Sequence, residues 1–475
     1  MIYSQALLRS QCVSQCDNAT VTESITTGVR SSVFLRSFRK EFPIAVRGEG
    51  VYVWEANGRR YLDLAGSAAV NFIGHGVPEI SAAMAEQASK LEFVHTSQFT
   101  TPVAEEYANE LLAFAGDHFK DGAVYFTSGG SESIETALKL ARQYQVEIGQ
   151  ARRHQILSRH QSYHGSTLGA LAVSGNKRRR EIYLPMVHEF PHVGMPYCYR
   201  CAFNCKDDCR ACGAKHASEL EQTIDSSKGT VAGFILEPVS GATLGAVVPP
   251  PGYPQSIAEI CRQHGILLVA DEVMTGMGRT GGNFAVDHWG VKPDILVTAK
   301  GLSSGYAPLG AVIASKKVID AIATGSGAFL HGFTYNAHPI ALAAGRAVLA
   351  RLLSEKLVDA ADSSQPGTAA SNFKSGLDTL RDLGPVGDVR GIGLLWGIEF
   401  VSDKGSKSPF PPDHNFAGRV GAAAFKRGLL VYPMQGCVDG TAGDHLLLAP
   451  PAIINSDQIE WSVAQLRAAI LEAQA

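Results

Sequence analysis

Three polar groups in this 475-residue chain stand at points where a short apolar run ends. Ser128-Gly129-Gly130-Ser131 separates an apolar run from a helical pattern. Free backbone N–H groups and a helix dipole at such a place can bind an anion such as phosphate. Asp271 ends the run ILLVA, and a carboxylate buried there needs a cation, such as a protonated heteroaromatic nitrogen. Lys300 follows the run ILVTA, and a partly desolvated amine at that position can act as a nucleophile.

Each of these groups, taken alone, also fits an ordinary structural role. Ser131 can cap the helix that follows it, Asp271 can form a structural ion pair, and Lys300 can simply reach solvent. Taken together, they are more specific. A phosphate cradle, a buried carboxylate and a strand-end lysine are the three contacts that pyridoxal 5'-phosphate requires, so the combination predicts a site for this cofactor.

The elements that must position these groups follow from the hydrophobic pattern. From about residue 78 to 340, amphipathic helical stretches alternate with short apolar runs, which is typical of an α/β fold with a mostly parallel sheet. Ligands gather at the carboxyl ends of the strands in such sheets. The sequence predicts a large domain at 78–340 and a smaller α+β domain built from both termini, 31–77 and 341–475. An alternating stretch across Asn57-Gly58 predicts a hairpin in the first of these segments.

Composition limits the class of protein. With 42 basic and 45 acidic residues, the formal net charge of -3 gives no general attraction to nucleic acid or to an anionic membrane. No run approaches the roughly 20 apolar residues of a membrane span, and we expect a cytoplasmic protein. Residues 1–30 are interpreted as a polar leader, and the basic run Lys177 to Arg180 as a solvated surface patch.

Further motifs occur in a fixed order along the chain: Tyr163-His164-Gly165, Glu237 in ILEPV, Val273 in DEVMTGMGRTG and Thr334 in HGFTYNAHP. With the cradle, Asp271 and Lys300, this set resembles the class III aminotransferases. These are fold type I pyridoxal phosphate enzymes that include ω-amino acid and amine transaminases. The resemblance covers roughly residues 40 to 470, which is nearly the whole chain.

The resemblance implies a transaminase that moves an amino group from an amine or ω-amino acid donor to a keto acid. Lys300 would hold the cofactor as an imine and carry the substrate proton, while Asp271 would keep the pyridine nitrogen protonated. Thr334 would reach the cofactor phosphate of a neighbouring subunit, so a homodimer is implied. Gly129 stands where the family often has a hydroxyl residue. The implied cofactor-binding set is Gly129, Gly130, Ser131, Tyr163, His164, Glu237, Asp271, Val273, Lys300 and Thr334, with no metal.

The substrate side of the site stays open. Family members that bind α-carboxylates commonly have an arginine where this chain has Leu447, and the place of a second, mobile arginine falls at 439–442, which reads DGTA. Either the donor presents an amine distant from any carboxylate, or without one, or an arginine from elsewhere binds the keto acid. Decarboxylases, aminomutases and epimerases of the same fold share the cofactor contacts and stay as alternative functions.

Five of the nine cysteines fall within residues 198–212, in the spacing C-x2-C-x3-C-x3-C-x2-C. Thiolates at such spacing can hold zinc. Reduced loop thiols and a local disulfide are the other two interpretations. We expect the cluster to be an insert of the large domain rather than the source of the chemistry. A zinc-binding interaction module on an inactive scaffold is the remote alternative function.

Overall fold

The computed structural model describes residues 32–205 and 208–475. The predicted polar leader at 1–30 lies outside the described residues. Within them, the chain forms two compact units, the smaller of residues 32–47 and 54–59 and the larger of residues 48–53 and 60–475. None of the helices in the part of the chain that the structure describes is long and apolar enough to cross a membrane.

The smaller unit contains the predicted turn at Asn57-Gly58. The Glu55 N–H donates to the Arg59 carbonyl oxygen at 2.9 Å, and Gly58 adopts a positive φ of 88°, a conformation that glycine reaches without strain. The Arg47 guanidinium lies 4.0 Å from the centre of the Trp54 ring. The turn residues therefore have the role that the sequence predicts.

The strands are short and the helices that separate them are longer. The strands are β1 (Ala45–Glu49), β2 (Tyr52–Glu55), β3 (Arg60–Asp63), β4 (Ala123–Thr127), β5 (Gln155–Arg159), β6 (His192–Val193), β7 (Val231–Leu236), β8 (Leu267–Asp271), β9 (Ile295–Thr298), β10 (Gly310–Ala314), β11 (Val386–Ile392), β12 (Leu395–Phe400), β13 (Leu429–Leu430), β14 (Tyr432–Gln435) and β15 (Asp444–Leu448). The longer helices are α1 (Pro78–Lys90), α2 (Pro102–Ala115), α3 (Gly130–Glu147), α4 (Leu168–Val173), α5 (Cys209–Ser226), α6 (Tyr253–His264), α7 (Lys316–Thr324), α8 (Pro339–Ser354), α9 (Ala369–Asp378), α10 (Phe416–Lys426) and α11 (Ser456–Gln474). One-turn helical segments occur at Gly66–Ala69, Lys177–Arg180 and Leu357–Ala360.

The central sheet has seven strands in the order β4-β10-β9-β8-β7-β5-β6. Strand β10 runs antiparallel to both of its neighbours, and the remaining neighbours pair in parallel. Every residue of β7, β8, β9 and β10 is buried. Burial of both sheet faces explains why these strands read as continuous apolar runs rather than as alternating ones. The predicted α/β class with a mostly parallel sheet is confirmed.

Alternate residues of the sheet face two separate apolar cores. Val269 and Val297 pack in one cluster with residues of α3, while Leu268 and Phe234 pack in another with residues of α5 and α6. Because successive strand residues point to opposite faces, one apolar run serves both cores. The two helix layers leave the carboxyl ends of the strands as an edge at which polar side chains can gather.

Beyond the central sheet, β11, β12, β15 and β14 form a four-stranded antiparallel sheet in the order β11-β12-β15-β14. Helices α10 and α11 pack against each other, and α10 also packs on β14 and β15. Strands and helices are therefore mixed in the C-terminal third, as the pattern predicts. The domain boundaries at residues 77 and 341 stay predictions.

Candidate active site

A cavity of about 460 Å³ lies at the carboxyl ends of the central strands. Nine of the ten site residues predicted from sequence line it: Gly129, Gly130, Ser131, Tyr163, His164, Glu237, Asp271, Val273 and Lys300. A larger groove of about 1070 Å³ lies among α1, α2 and α8, but none of the predicted residues lines it. We place the candidate site in the smaller cavity, because Glu237, Asp271 and Lys300, at the ends of β7, β8 and β9, all line it.

Thr334 is the predicted residue that this single chain does not bring to the cavity. Its side chain is exposed, and it does not line the pocket. Other residues that line the cavity, among them Val70, Val239 and Ala242, were not predicted from the sequence. They carry no ionisable group, and only the folding of distant segments together places them at the site.

The predicted cradle connects β4 to α3. The helix begins after Gly129, which caps it without a side-chain hydrogen bond, so the interpretation of Ser131 as the cap is wrong. Instead, the Ser131 hydroxyl oxygen accepts a hydrogen bond from the Ser166 N–H at 3.0 Å. First-turn N–H groups, such as those of Gly130 and Ser131, have no acceptor within their own helix. The cradle can therefore donate to an anion.

Two glycines of the cradle differ in the space around them. A Cβ atom at Gly129 would meet nothing within 4 Å, whereas one at Gly130 would lie 3.1 Å from Val273 Cγ1. Gly130 therefore lets the backbone lie close to Val273 at the cavity wall. The absence of a hydroxyl side chain at residue 129 leaves open space and does not distort the backbone.

Asp271 ends β8 with only 4% of its surface exposed. A hydrogen bond of 2.7 Å joins its Oδ2 to His164 Nδ1, and its Oδ1 accepts from the Val273 N–H at 3.1 Å. The other ring nitrogen of His164, Nε2, is buried and has no hydrogen-bond partner within the described chain. A fixed carboxylate beside an unpartnered buried nitrogen indicates a site built for a polar ligand.

Lys300 follows β9 and lines the cavity. Its φ of 44° lies in the left-handed region, which costs a residue with a side chain on the order of 1 kcal/mol. Burial lowers the pKa of the Lys300 amine to about 8, although the charges of Asp271 and Glu237 oppose this decrease. The amine is therefore much more nucleophilic near neutral pH than an exposed lysine.

Glu237 comes at the end of β7 and is buried. Its two carboxylate oxygens accept hydrogen bonds from the backbone N–H of Tyr163 at 3.3 Å and from that of Gly241 at 2.9 Å. Burial raises the pKa of the Glu237 carboxyl, and the nearby Asp271 carboxylate acts in the same direction. Glu237 and Asp271 therefore bring two buried carboxyl groups to the cavity that Lys300 lines.

Neither Leu447 nor the segment 439–442 supplies an arginine that could bind a carboxylate. Leu447 is buried in β15, in an apolar cluster that includes Val239 and Ala242, and both of these also line the cavity. In the segment 439–442, the Asp439 side chain accepts hydrogen bonds from the N–H groups of Thr441 and Ala442 at 2.8 and 2.7 Å. One wall of the cavity is therefore apolar.

The basic run Lys177 to Arg180 is only partly the solvated patch that the sequence suggests. Lys177 and Arg178 are exposed. Arg179 is half-buried, and its guanidinium carbon lies 4.3 Å from the centre of the Tyr163 ring. The surface interpretation is therefore wrong for Arg179, which contacts a residue of the cavity wall.

None of the five cysteines of the cysteine-rich insert lines the cavity. Its five cysteines are all free thiols, so the interpretation as a disulfide has no support. Among the residues that the structure describes, no group of three or more His, Cys, Asp or Glu side chains is placed to hold a metal. Helix α5 begins at Cys209, where the Asp208 carboxylate caps the Ala211 N–H at 3.0 Å. The last two cysteines are therefore helical rather than part of a loop.

A buried ion cluster fixes the beginning of the insert. Glu399 of β12 accepts hydrogen bonds from Tyr197, from Arg200 Nε at 2.6 Å and from Arg390 Nη1 at 2.8 Å. Burial alone would favour the protonated carboxyl, but the charges of Arg390 and Arg200 outweigh it and lower the pKa of Glu399. The insert therefore contributes structural contacts to the antiparallel sheet.

The known proteins described next, to which this chain is similar, are named aminotransferases or transaminases. The family model described as aminotransferase class-III matches residues 36–470. YodT of Bacillus subtilis strain 168, an uncharacterized aminotransferase, is 39% identical over 88% of this chain and 93% of its own. An (S)-enantioselective omega-transaminase from Thermomicrobium roseum is 37% identical, with a TM-score of 0.85 over 96% of this chain and 98% of its own. An amine transaminase from an uncultivated Pseudomonas species, in a form bound to pyridoxal phosphate, is 34% identical, with a TM-score of 0.85 over 93% of this chain and 98% of its own.

Proposed function

This chain belongs to the class III aminotransferases, and from that premise we propose that the cavity around Lys300 and Asp271 is its active site. The chain is a pyridoxal-phosphate-dependent aminotransferase that moves an amino group from a donor to a keto acid. The observation that carries the assignment of residues is the convergence of Lys300, Asp271 and the cradle of Gly129 to Ser131 on one cavity.

The residues present fit pyridoxal phosphate. The unpartnered His164 Nε2, the carboxylate of Asp271 and the first-turn N–H groups after Gly129 offer contacts for a ligand that has both a polar ring and an anionic group. When bound, the cofactor supplies an aldehyde that captures amines and a ring that accepts electrons from the substrate carbon. Gly130 and Ser131 would donate to its phosphate, and Tyr163 and Val273 would lie on either side of its ring.

Lys300 holds and moves the proton in this proposal. At a pKa of about 8, Nζ is close to the pH at which an amine both accepts and returns a proton efficiently. It would remove the proton from the substrate carbon and later return one. Because the Lys300 backbone adopts an uncommon conformation, the surrounding loop holds this backbone at an energetic cost.

Asp271 would place its carboxylate against the cofactor nitrogen and keep that nitrogen protonated. Its 2.7 Å hydrogen bond to His164 and its contact with the Val273 N–H fix both carboxylate oxygens. A carboxylate held in this way needs no reorganisation when charge develops next to it. His164 therefore acts as a positioning residue for Asp271.

The donor is an amine or an ω-amino acid. The apolar wall that contains Val239 and Ala242, next to the buried Leu447, favours an apolar group beside the reacting carbon. The names of the similar enzymes, an omega-transaminase and an amine transaminase, support the same class. Thr334, exposed in this chain, would complete the phosphate site of a second subunit in a homodimer. A cytoplasmic location stays a prediction.

The experiment is a panel of donors against two acceptors. Purified protein reconstituted with pyridoxal phosphate is mixed with 1-phenylethylamine, 4-aminobutyrate or β-alanine and with pyruvate or 2-oxoglutarate, and both products are quantified. We expect aminated acceptor and deaminated donor in equal amounts, and no transfer by Lys300→Ala. Release of carbon dioxide, or isomerisation without an acceptor, would favour the alternative reactions of the fold, which no similar protein named above supports. Transfer by Lys300→Ala at the wild-type rate would refute the residue assignment.

A further inference from the structure

Arg179 has a guanidinium group that the proposed mechanism does not use. It belongs to the one-turn segment Lys177–Arg180, and its backbone N–H donates to Asn176 Oδ1 at 3.2 Å. Its guanidinium lies over the Tyr163 ring and makes no hydrogen bond or ion pair with the residues that the structure describes. A cation–π contact holds such a group in place but leaves its five N–H donors available.

Three other arginines each hold a buried acceptor. Arg279 is buried and donates to three backbone carbonyl oxygens, those of Asn71, Ala449 and Pro450. Arg159 is buried and donates to the Glu237 carbonyl oxygen, and Arg390 pairs with Glu399. Rotating any of these toward a ligand would leave buried carbonyl oxygens or a buried carboxylate unpaired. Arg179 can turn without that penalty.

The turn that carries Arg179 packs against the segment that lacks an arginine. A Cβ atom at Gly440 would lie 3.0 Å from Lys177 Cβ, and Arg178 Nη1 donates to Gln435 Oε1 at 3.2 Å. Gln161 connects the same regions, because its Nε2 donates to the Gly436 carbonyl oxygen at 3.2 Å and its Oε1 accepts from Asn176 Nδ2 at 3.1 Å. Arg179 therefore reaches Tyr163 from a backbone fixed beside residues 436–440.

The charge of Arg179 also acts on the cavity. Burial has the largest effect on the pKa of Lys300, and the positive charge of Arg179 lowers this pKa further. The guanidinium is thus close enough to influence the reacting amine, while the apolar wall at Val239 and Ala242 provides no cation. An anion that enters between this guanidinium and the apolar wall would meet Arg179 beside Tyr163.

We propose that Arg179 binds the carboxylate of the keto acid acceptor, taking the place of the arginines absent at Leu447 and at residues 439–442. The planar guanidinium matches a carboxylate with two parallel hydrogen bonds. A donor amine that has no carboxylate would bind without contacting Arg179. The contact therefore serves the half of the reaction in which the keto acid acceptor is aminated. This inference rests on the proposed transaminase function.

The test compares pyruvate with acetaldehyde, which is the same acceptor without its carboxylate. The holoenzyme forms of wild type, Arg179→Met, Arg179→Lys and the control Arg178→Met are assayed with 1-phenylethylamine as donor. We expect Arg179→Met to raise the KM for pyruvate about tenfold to a hundredfold, the typical loss of a hydrogen bond to a charged group. The KM for acetaldehyde should stay within about twofold, since that acceptor has no group for the guanidinium. Arg179→Lys should restore part of the loss, and Arg178→Met should match wild type.

A binding measurement separates recognition from turnover. Glutarate, which has two carboxylates but neither an amine nor a keto group, is titrated into each holoenzyme by calorimetry. We expect weaker binding only in the Arg179 variants. Equal loss for pyruvate and acetaldehyde, unchanged pyruvate KM, or loss of cofactor absorbance in Arg179→Met would each overturn the proposal. If wild type itself transfers no amino group to either acceptor, the proposed function fails before the role of Arg179 is tested.

Discussion

The lowered pKa of Lys300 predicts how fast the apoenzyme captures its cofactor. Capture requires the neutral amine, because only the lone pair on Nζ attacks the aldehyde. With a pKa of about 8, about 24% of the amine is neutral at pH 7.5, against about 0.1% for an unperturbed lysine. Burial should therefore speed capture roughly two-hundredfold relative to an exposed amine of equal reactivity.

The assay is a stopped-flow absorbance measurement with apoenzyme and pyridoxal phosphate between pH 6.5 and pH 10. We expect the rate to rise with pH and level off above about pH 9, because Lys300, half neutral at its pKa of about 8, is then mostly neutral. Nα-acetyl-lysine methylamide, the control, should continue to gain rate up to the end of this pH range, because an unperturbed lysine amine has a pKa of about 10.4. Glu237→Gln should move the midpoint to lower pH, since the Glu237 charge raises the pKa of Lys300, whereas Glu86→Gln on exposed α1 should not. A rate that still rises in step with the control above pH 9 would refute the argument from burial.

Three further predictions concern the surroundings of the site. Glu399→Gln leaves the Arg390 charge less compensated, and we expect a loss of about 3–5 kcal/mol in the free energy of unfolding, measured by urea denaturation. Because the pKa of Glu399 is lowered in the folded protein, the carboxylate stabilises at pH values above about 4.3, and the difference should shrink in acid. Gly129→Ser should keep its cofactor affinity in an absorbance titration, whereas Gly165→Ala should weaken it, because the added Cβ would lie 2.6 Å from Ser131 Oγ at a φ of 146°. Asp271→Asn should reduce the single-turnover rate by about a hundredfold or more; a rate near wild type would contradict its assigned role.

Local pattern is sufficient to predict the groups at strand ends. Asp271 and Lys300 each follow a run of apolar residues, and the buried strands β8 and β9 place both at one edge of the sheet. A run of five residues that are all or mostly apolar, followed by a charged residue, indicates a strand that leaves the core, so sequence alone predicts the site's main groups.

Contacts between distant segments are beyond such reasoning. The hydrogen bond between His164 and Asp271 joins residues 107 positions apart, and the approach of Arg179 to Tyr163 depends on the turn at Lys177–Arg180. Charge pattern alone placed Arg179 on the surface because it cannot report which neighbour a side chain meets. The cap at the start of α3 was also missed, since a glycine offers no side-chain signal.

The central claim is that Lys300 is the residue that binds the cofactor covalently. The most direct measurement is borohydride reduction of the reconstituted holoenzyme, followed by proteolysis and mass spectrometry of the modified peptide. We predict one pyridoxyl group per chain, located on Lys300, and none in Lys300→Ala. A pyridoxyl group on another lysine of the wild-type protein, with Lys300 unmodified, would contradict the account.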